Sequence, residues 1–173
     1  RAEARYDKAH GFNTYIGMAD TTPYRLFKRN DVYWVGDPLN NGFTDQSTNW
    51  VGNFLGDEVD GTHSVADGLR YLQDAVDRNV GSGRFNYANF TQSVMSVYMP
   101  KAVAGKYVND FTDTVSLDMY WYTVPFCDWE PYQDIYITPV KERNCRAAAS
   151  YGKTMNSLRK RDALDGKRQP LWQ

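Results

Sequence analysis

Asp57, Glu58 and Asp60 close an apolar run, WVGNFLGDEVD at 50–60, placing three carboxylates within four residues. An unpaired carboxylate inside a core costs several kcal/mol, so this spacing predicts a strand that stops and opens onto a polar cleft. Burial and the charges of its two neighbours would raise the pKa of one such carboxyl and make it a proton donor. Glu58 is the first candidate for that general acid and Asp57 the second. Adjacent strand residues point to opposite faces, so a regular strand lets only one of them face the cleft. Asp118, in TVSLDMYWYT at 114–123, is a further candidate as a base or as an orienting carboxylate. For each acid the bland role is a carboxylate satisfied by an Arg, a Tyr or a backbone cap. Asp57, Glu58 and Asp60 could also face Ca²⁺ or Mg²⁺, but the three acids lack the spacing of a known loop, and no metal is assigned. His10 and His63 are the only histidines and suggest neither a zinc site nor a Ser-His-Asp arrangement.

The elements that must position these acids read as an alternation. Residues 1–10 suit a helix and 12–18 a strand; a short amphipathic piece at 24–30 precedes a β-rich run near 32–37. Residues 38–49, rich in Asn, Gly and Thr, read as loop, and the acidic strand follows. Ser64 is a good N-cap for a helix over 64–79 with apolar residues at 65, 69, 72 and 76. A strand at 84–90 carries Asn89 at its end, a helix runs from Pro100 to about 112, and a strand covers 114–123. There Val115, Leu117, Met119 and Trp121 share one face, and Ser116, Asp118, Tyr120 and Tyr122 the other. A helix near 144–164 and a final strand beginning at QPLWQ complete the series.

Strands separated by crossovers of this length imply a mostly parallel sheet. A doubly wound sheet would bring a Gly-rich phosphate loop after an early strand, and neither GxGxxG nor GxxxxGK[ST] is present. A (β/α) barrel instead gathers chemistry at the carboxyl ends of several strands, where Asp20, Asp37, Asp57, Glu58, Asn89 and Tyr122 fall. The expected fold is therefore α/β, an incomplete (β/α)8 TIM-type barrel in one partial domain over 1–173. Six strands do not close eight, which suggests a piece of a longer polypeptide.

Composition narrows the partners. An apolar fraction of 42% with 24% charged residues is that of a soluble globular domain. No run approaches the roughly 20 apolar residues of a membrane span, so no membrane partner is expected. Lys and Arg number 11 against 18 acids over 1–140 and 9 against 3 over 141–168. The basic residues of that last stretch are spread round a helical pattern, which favours a solvated face over a nucleic-acid surface. The outlier is aromatic content, 15% of the chain. Tyr33, Trp34, Tyr120, Trp121, Tyr122, Phe126 and Trp129 crowd predicted strand ends, as core or as platforms for sugar rings. Cys127 and Cys145 flank one long loop, as two free thiols or as one disulfide; the disulfide is the expected state, and in an oxidising setting it would contribute about 3 kcal/mol.

FLGDEVDGT at 54–62, RFNYANF at 84–90, DTVSLDMYWYT at 113–123 and the ending RQPLWQ resemble a group of glycoside-hydrolase-like (β/α)8 barrels. Such barrels occur in secreted actinobacterial proteins and in minor tail proteins of phages that infect those bacteria. The resemblance implies an acid on the fourth strand, matched by Glu58 in GDEVD, and a second carboxylate on a late strand, at the end of the one that QPLWQ begins and so beyond Gln173. It implies action on a cell-envelope or extracellular polysaccharide, without a cofactor, from a virion tail or an extracellular location, alongside other tail proteins in the former case. Asp20, Asp60, Asn89, Tyr120, Trp121 and Tyr122 are the expected substrate contacts. Because some barrels of this kind only bind, a non-catalytic carbohydrate-binding or structural tail module is the alternative.

Overall fold

A computed structural model describes residues 2–120, 137–138 and 147–172. Among them the elements run α1 (Ala2–Ala9), β1 (Thr14–Tyr15), α2 (Arg25–Asn30), β2 (Tyr33–Val35), β3 (Trp50–Asp57), α3 (Val59–Thr62), α4 (Val65–Arg78), β4 (Phe85–Phe90), α5 (Lys101–Asn109), β5 (Thr114–Leu117), α6 (Ala148–Asp162) and β6 (Leu171–Trp172). The strands form one six-stranded sheet in the order β1-β2-β3-β4-β5-β6, parallel at every pairing and curled as a half-barrel. The expected parallel neighbours in chain order are therefore present, and all carboxyl ends lie along one edge.

Helix α4 follows from its local sequence. Ser64 accepts a hydrogen bond from the Asp67 amide and so satisfies one of the free N–H groups that open α4. The inward stripe of α4 is Gly68, Leu72 and Ala75, flanked by Leu69 and Val76; Val65, expected inside, is exposed. Gly68 is small for a reason, since a Cβ there would lie 2.4 Å from the Tyr107 hydroxyl oxygen. The helical side of the sheet supplies Leu55, Ala88, Phe90, Val115 and Leu117, which pack with Leu72, Tyr107, Val108 and Leu158 into the main core. A second cluster, Phe27, Val32, Trp34 and Phe43, sits under β1 and β2 and is built from edge-on ring contacts such as Phe27–Phe43 at 5.7 Å.

Two details differ from a regular alternation. Residues 36–49 join β2 to β3 without a helix, as read from their composition, and the buried Asn49 ties this loop down by donating to the Val32 carbonyl at 3.0 Å. On β3, Phe54 pairs with Tyr87 but Gly56 pairs with Ala88, so Leu55 is an extra residue and the strand bulges. Beyond that bulge the side-chain parity of β3 is reversed, which decides where the acids point. The strand expected over 114–123 is regular only to Leu117, and Asp118 to Tyr120 leave it.

Candidate active site

The bulge puts Asp57 in register with Asn89, Asn89 in register with Ser116, and Ser116 in register with Trp172. Side chains at matched register share a face, so these four form a row across β3, β4, β5 and β6 on the concave side of the sheet. Below them Phe54 stacks on Tyr87 with centroids 5.2 Å apart, and Tyr87 meets Trp172 at 5.1 Å. A trough of about 490 Å³ runs over this floor, lined by Phe54, Asp57, Tyr87, Asn89, Asp118 and Trp172 among others, and reaching Ile16 and Gly17 beyond β1. A larger cleft of about 550 Å³ lies between α5 and the turn at Ala163–Asp165. It contains none of the acids that end β3 and β5, and the trough is the chemically richer site.

Strand alternation predicted that Asp57 and Glu58 would face opposite sides, with Glu58 inward. The structure corrects this in two steps. The bulge turns Asp57 onto the concave face, and Glu58 then leaves the strand in the left-handed region, at φ 51°. That conformation is costly for a residue with a Cβ. It is held by the Glu58 amide donating to the Asn89 carbonyl and by the Glu58 carbonyl accepting from the Gly61 and Thr62 amides, each at 2.9 Å. The Glu58 side chain is thereby brought beside the Asp118 carboxyl, so that a proton on Glu58 can be shared with it. Its pKa is raised, first by burial, then by this sharing with Asp118, then by the charges of Asp118, Asp57 and Asp60. The carboxyl proposed as the proton donor is thus one whose surroundings favour keeping a proton.

Asn89 donates from Nδ2 to Asp57 Oδ1 at 2.8 Å, and Ser116 Oγ donates to Asn89 Oδ1. Tyr120 is largely exposed, and its pKa is raised first by the Asp118 carboxylate close to it. Asp57, Asn89 and Asp118 therefore line the trough, while Glu58 and Tyr120 stand next to Asp118 outside its lining. Asp60 is not among the residues lining the trough. It is buried, and its carboxylate accepts from the Thr91 amide and hydroxyl, both at 2.8 Å, and from the Val94 amide at 3.2 Å. Burial raises its pKa against the pull of those donors. Asp20 is exposed and away from the trough lining, its carbonyl accepting from Asn40. Trp34 is core rather than platform. Trp121, Tyr122, Cys127 and Cys145 lie outside the described residues, and with them the expected disulfide.

Phe54, Tyr87, Ser116 and Trp172 were not singled out as site residues from the sequence. The alternation of RFNYANF and of TVSLD already placed Tyr87 with Asn89 and Ser116 with Asp118, so two of them were within reach of that signal. Among the described residues no grouping of three or more His, Cys, Asp or Glu side chains is arranged to hold a metal ion, and no helix is long and apolar enough to cross a membrane. No protein-family model, curated protein or solved structure matches the chain.

Proposed function

We propose that the trough is a glycoside-hydrolase-like active site acting on a cell-envelope or extracellular polysaccharide, carried on a virion tail or secreted. The observation that carries this reading is the left-handed turn that sets Glu58 at the rim of the trough, next to Asp118 and Asp57, which line it together with the aromatic floor. In the proposed reaction Glu58 gives its proton to the glycosidic oxygen as the C–O bond breaks and its electron pair leaves with that oxygen. Water then adds to the sugar carbon, and a carboxylate of the site takes up the surplus proton. Phe54 and Trp172, with the buried Tyr87 ring packed against both, offer ring surface to the apolar faces of sugar rings. We propose further that the half-barrel is of the (β/α)8 TIM type. The unreversed strand order and the acids at the carboxyl edge support this.

A second reading rests on the aromatic floor alone. Stacked rings and hydrogen-bonding groups are enough to hold a glycan without cleaving it, as a binding or structural tail module would, with other tail proteins as further partners. The two readings separate in one experiment, in which the full chain and its Glu58→Gln variant are assayed for release of reducing ends across a panel of cell-wall polysaccharides. The expected result is cleavage of at least one by the wild type, a loss of about 10²- to 10⁴-fold in the variant, and binding retained. Binding without cleavage by the wild type replaces the enzyme with the binding module; cleavage by the variant at the wild-type rate removes Glu58 as the acid.

A further inference from the structure

The row above the aromatic floor is more than a set of neighbours, because its protons can be assigned. Tyr87 Oη lies 2.6 Å from Ser116 Oγ, Ser116 Oγ lies 2.5 Å from Asn89 Oδ1, and Asn89 Nδ2 lies 2.8 Å from Asp57 Oδ1. An amide oxygen can only accept, so the single hydroxyl proton of Ser116 points to Asn89. Ser116 Oγ then has only acceptor capacity left, and Tyr87 must donate to it. Burial pushes the Tyr87 phenol up, so it keeps the proton it donates. All four groups are consistent with one direction of donation, Tyr87 to Ser116 to Asn89 to Asp57. Tyr87, Ser116 and Asn89 are each less than a tenth exposed, which leaves little room for water to take over a broken link.

We infer that Tyr87, Ser116 and Asn89 are positioning residues forming a one-way hydrogen-bond relay that ends on Asp57 and fixes it as the standing acceptor of the trough, leaving proton donation to Glu58. This rests on the proposed hydrolase reading for its catalytic meaning, though not for its geometry. Asn89 holds both acids, its side chain donating to Asp57 and its main-chain carbonyl accepting from the Glu58 amide at 2.9 Å. One residue therefore couples the placement of the donor to that of the acceptor. In the proposed reaction Asp57 is then the carboxylate left to face the positive charge that develops on the sugar ring, while Asp118 orients Glu58.

The direction of the relay matters because the opposite one is chemically conceivable. Turning the Asn89 amide over would set its Oδ1 against Asp57, which would then have to be protonated and donate. The titratable groups lining the trough here are Asp57 at the end of β3, Tyr87 on β4 and Asp118 after β5, with Glu58, Tyr120 and Asp60 close enough to interact by charge. No Lys, Arg or His is among the described residues lining the trough.

Asn89→Asp distinguishes the two directions by urea unfolding at about pH 4 and about pH 7.5, on either side of the carboxylate range. If Asp57 is an acceptor, the variant sets two carboxylates against each other. Its folding constant, relative to wild type, should then fall by about tenfold or more between the lower and the higher pH. The swapped pair Asp57→Asn with Asn89→Asp retains one carboxylate and one amide, and should lack that pH-dependent loss. The inference is overturned if the deficit of Asn89→Asp is equal at both pH values, if that variant matches wild type at both, if it is folded at neither, or if the swapped pair shows the same pH-dependent loss. None of these measurements needs a glycan, so a chain that cleaves nothing leaves the relay standing, and a failed relay leaves the Glu58→Gln assay to decide the hydrolase reading.

Discussion

Glu58 combines two features that would be selected against in a purely structural residue: a left-handed backbone, at φ 51°, and a carboxyl whose proton is favoured by burial and by neighbouring acids. The first feature has a measurable cost. Glu58→Gly should stabilise the fold by about 1 kcal/mol through relief of the Cβ clash, offset in part by the greater freedom of unfolded glycine. Glu58→Ala keeps the Cβ and should show no such gain. Urea midpoints of the two variants, with unchanged slopes, check the difference. The second feature sets a pH dependence with a definite sign. Glu58 and Asp60 both have folded pKa values above their unfolded ones. Their ionisation therefore opposes folding: the stability linked to their protons is fully present below the ordinary unfolded carboxylate range and is lost as pH rises through the folded values. Glu58→Gln should flatten that decline, as read from unfolding free energy across the acidic range.

At the scale of elements, the segment from Thr91 to Met99 is held from both sides by buried charge. Asp60 accepts from the Thr91 and Val94 amides, while Arg161 of α6 donates Nε to the Val94 carbonyl at 3.0 Å and Nη2 to the Ser96 carbonyl at 2.8 Å. The anion satisfies amides opening the 3-10 turn at Gln92–Met95, and the cation satisfies carbonyls at and beyond its end. Asp60 opens the short helix after the acidic strand, so the same carboxylate links the turn holding Glu58 to the loop after β4. Asp60→Asn presents an amide N–H to donors that need an acceptor and should cost about 1–3 kcal/mol. Amide exchange should then quicken at Thr91 and Val94 before it quickens in the interior of β4. Uniform loss of protection across the sheet would show instead that Asp60 supports the whole core.

At the scale of the molecule, two apolar clusters lie beneath one continuous sheet. Leu158 of α6 is fully buried in the larger and Phe27 of α2 in the smaller. Leu158→Ala should cost about 2–5 kcal/mol and Phe27→Ala about 3–5 kcal/mol. Because β2 pairs with β3, the two clusters are joined through one continuous sheet. Each substitution should therefore lower a single transition seen alike by tryptophan fluorescence and far-ultraviolet circular dichroism. Separate midpoints for the two probes would show that the β1–β2 end unfolds on its own.

The sequence by itself determined the α/β alternation, the parallel neighbours β3, β4 and β5, the capped helix at Val65–Arg78, and the gathering of Asp57, Glu58 and Asn89 at one sheet edge. These follow from local patterns: period-2 and period-3.6 spacing, an N-cap serine, and an acidic stop to an apolar strand. Tertiary structure alone decided which acid faces which way. The bulge at Leu55 depends on how β3 pairs with β4, and the left-handed turn at Glu58 depends on the Asn89 carbonyl, 31 residues later in the chain. The role of Asp60 was likewise hidden, because only the fold brings the Thr91 and Val94 amides to it. Alternation within one strand carries no information about an extra residue that a neighbouring strand accommodates, and so it could place the carboxylates at the edge but not orient them.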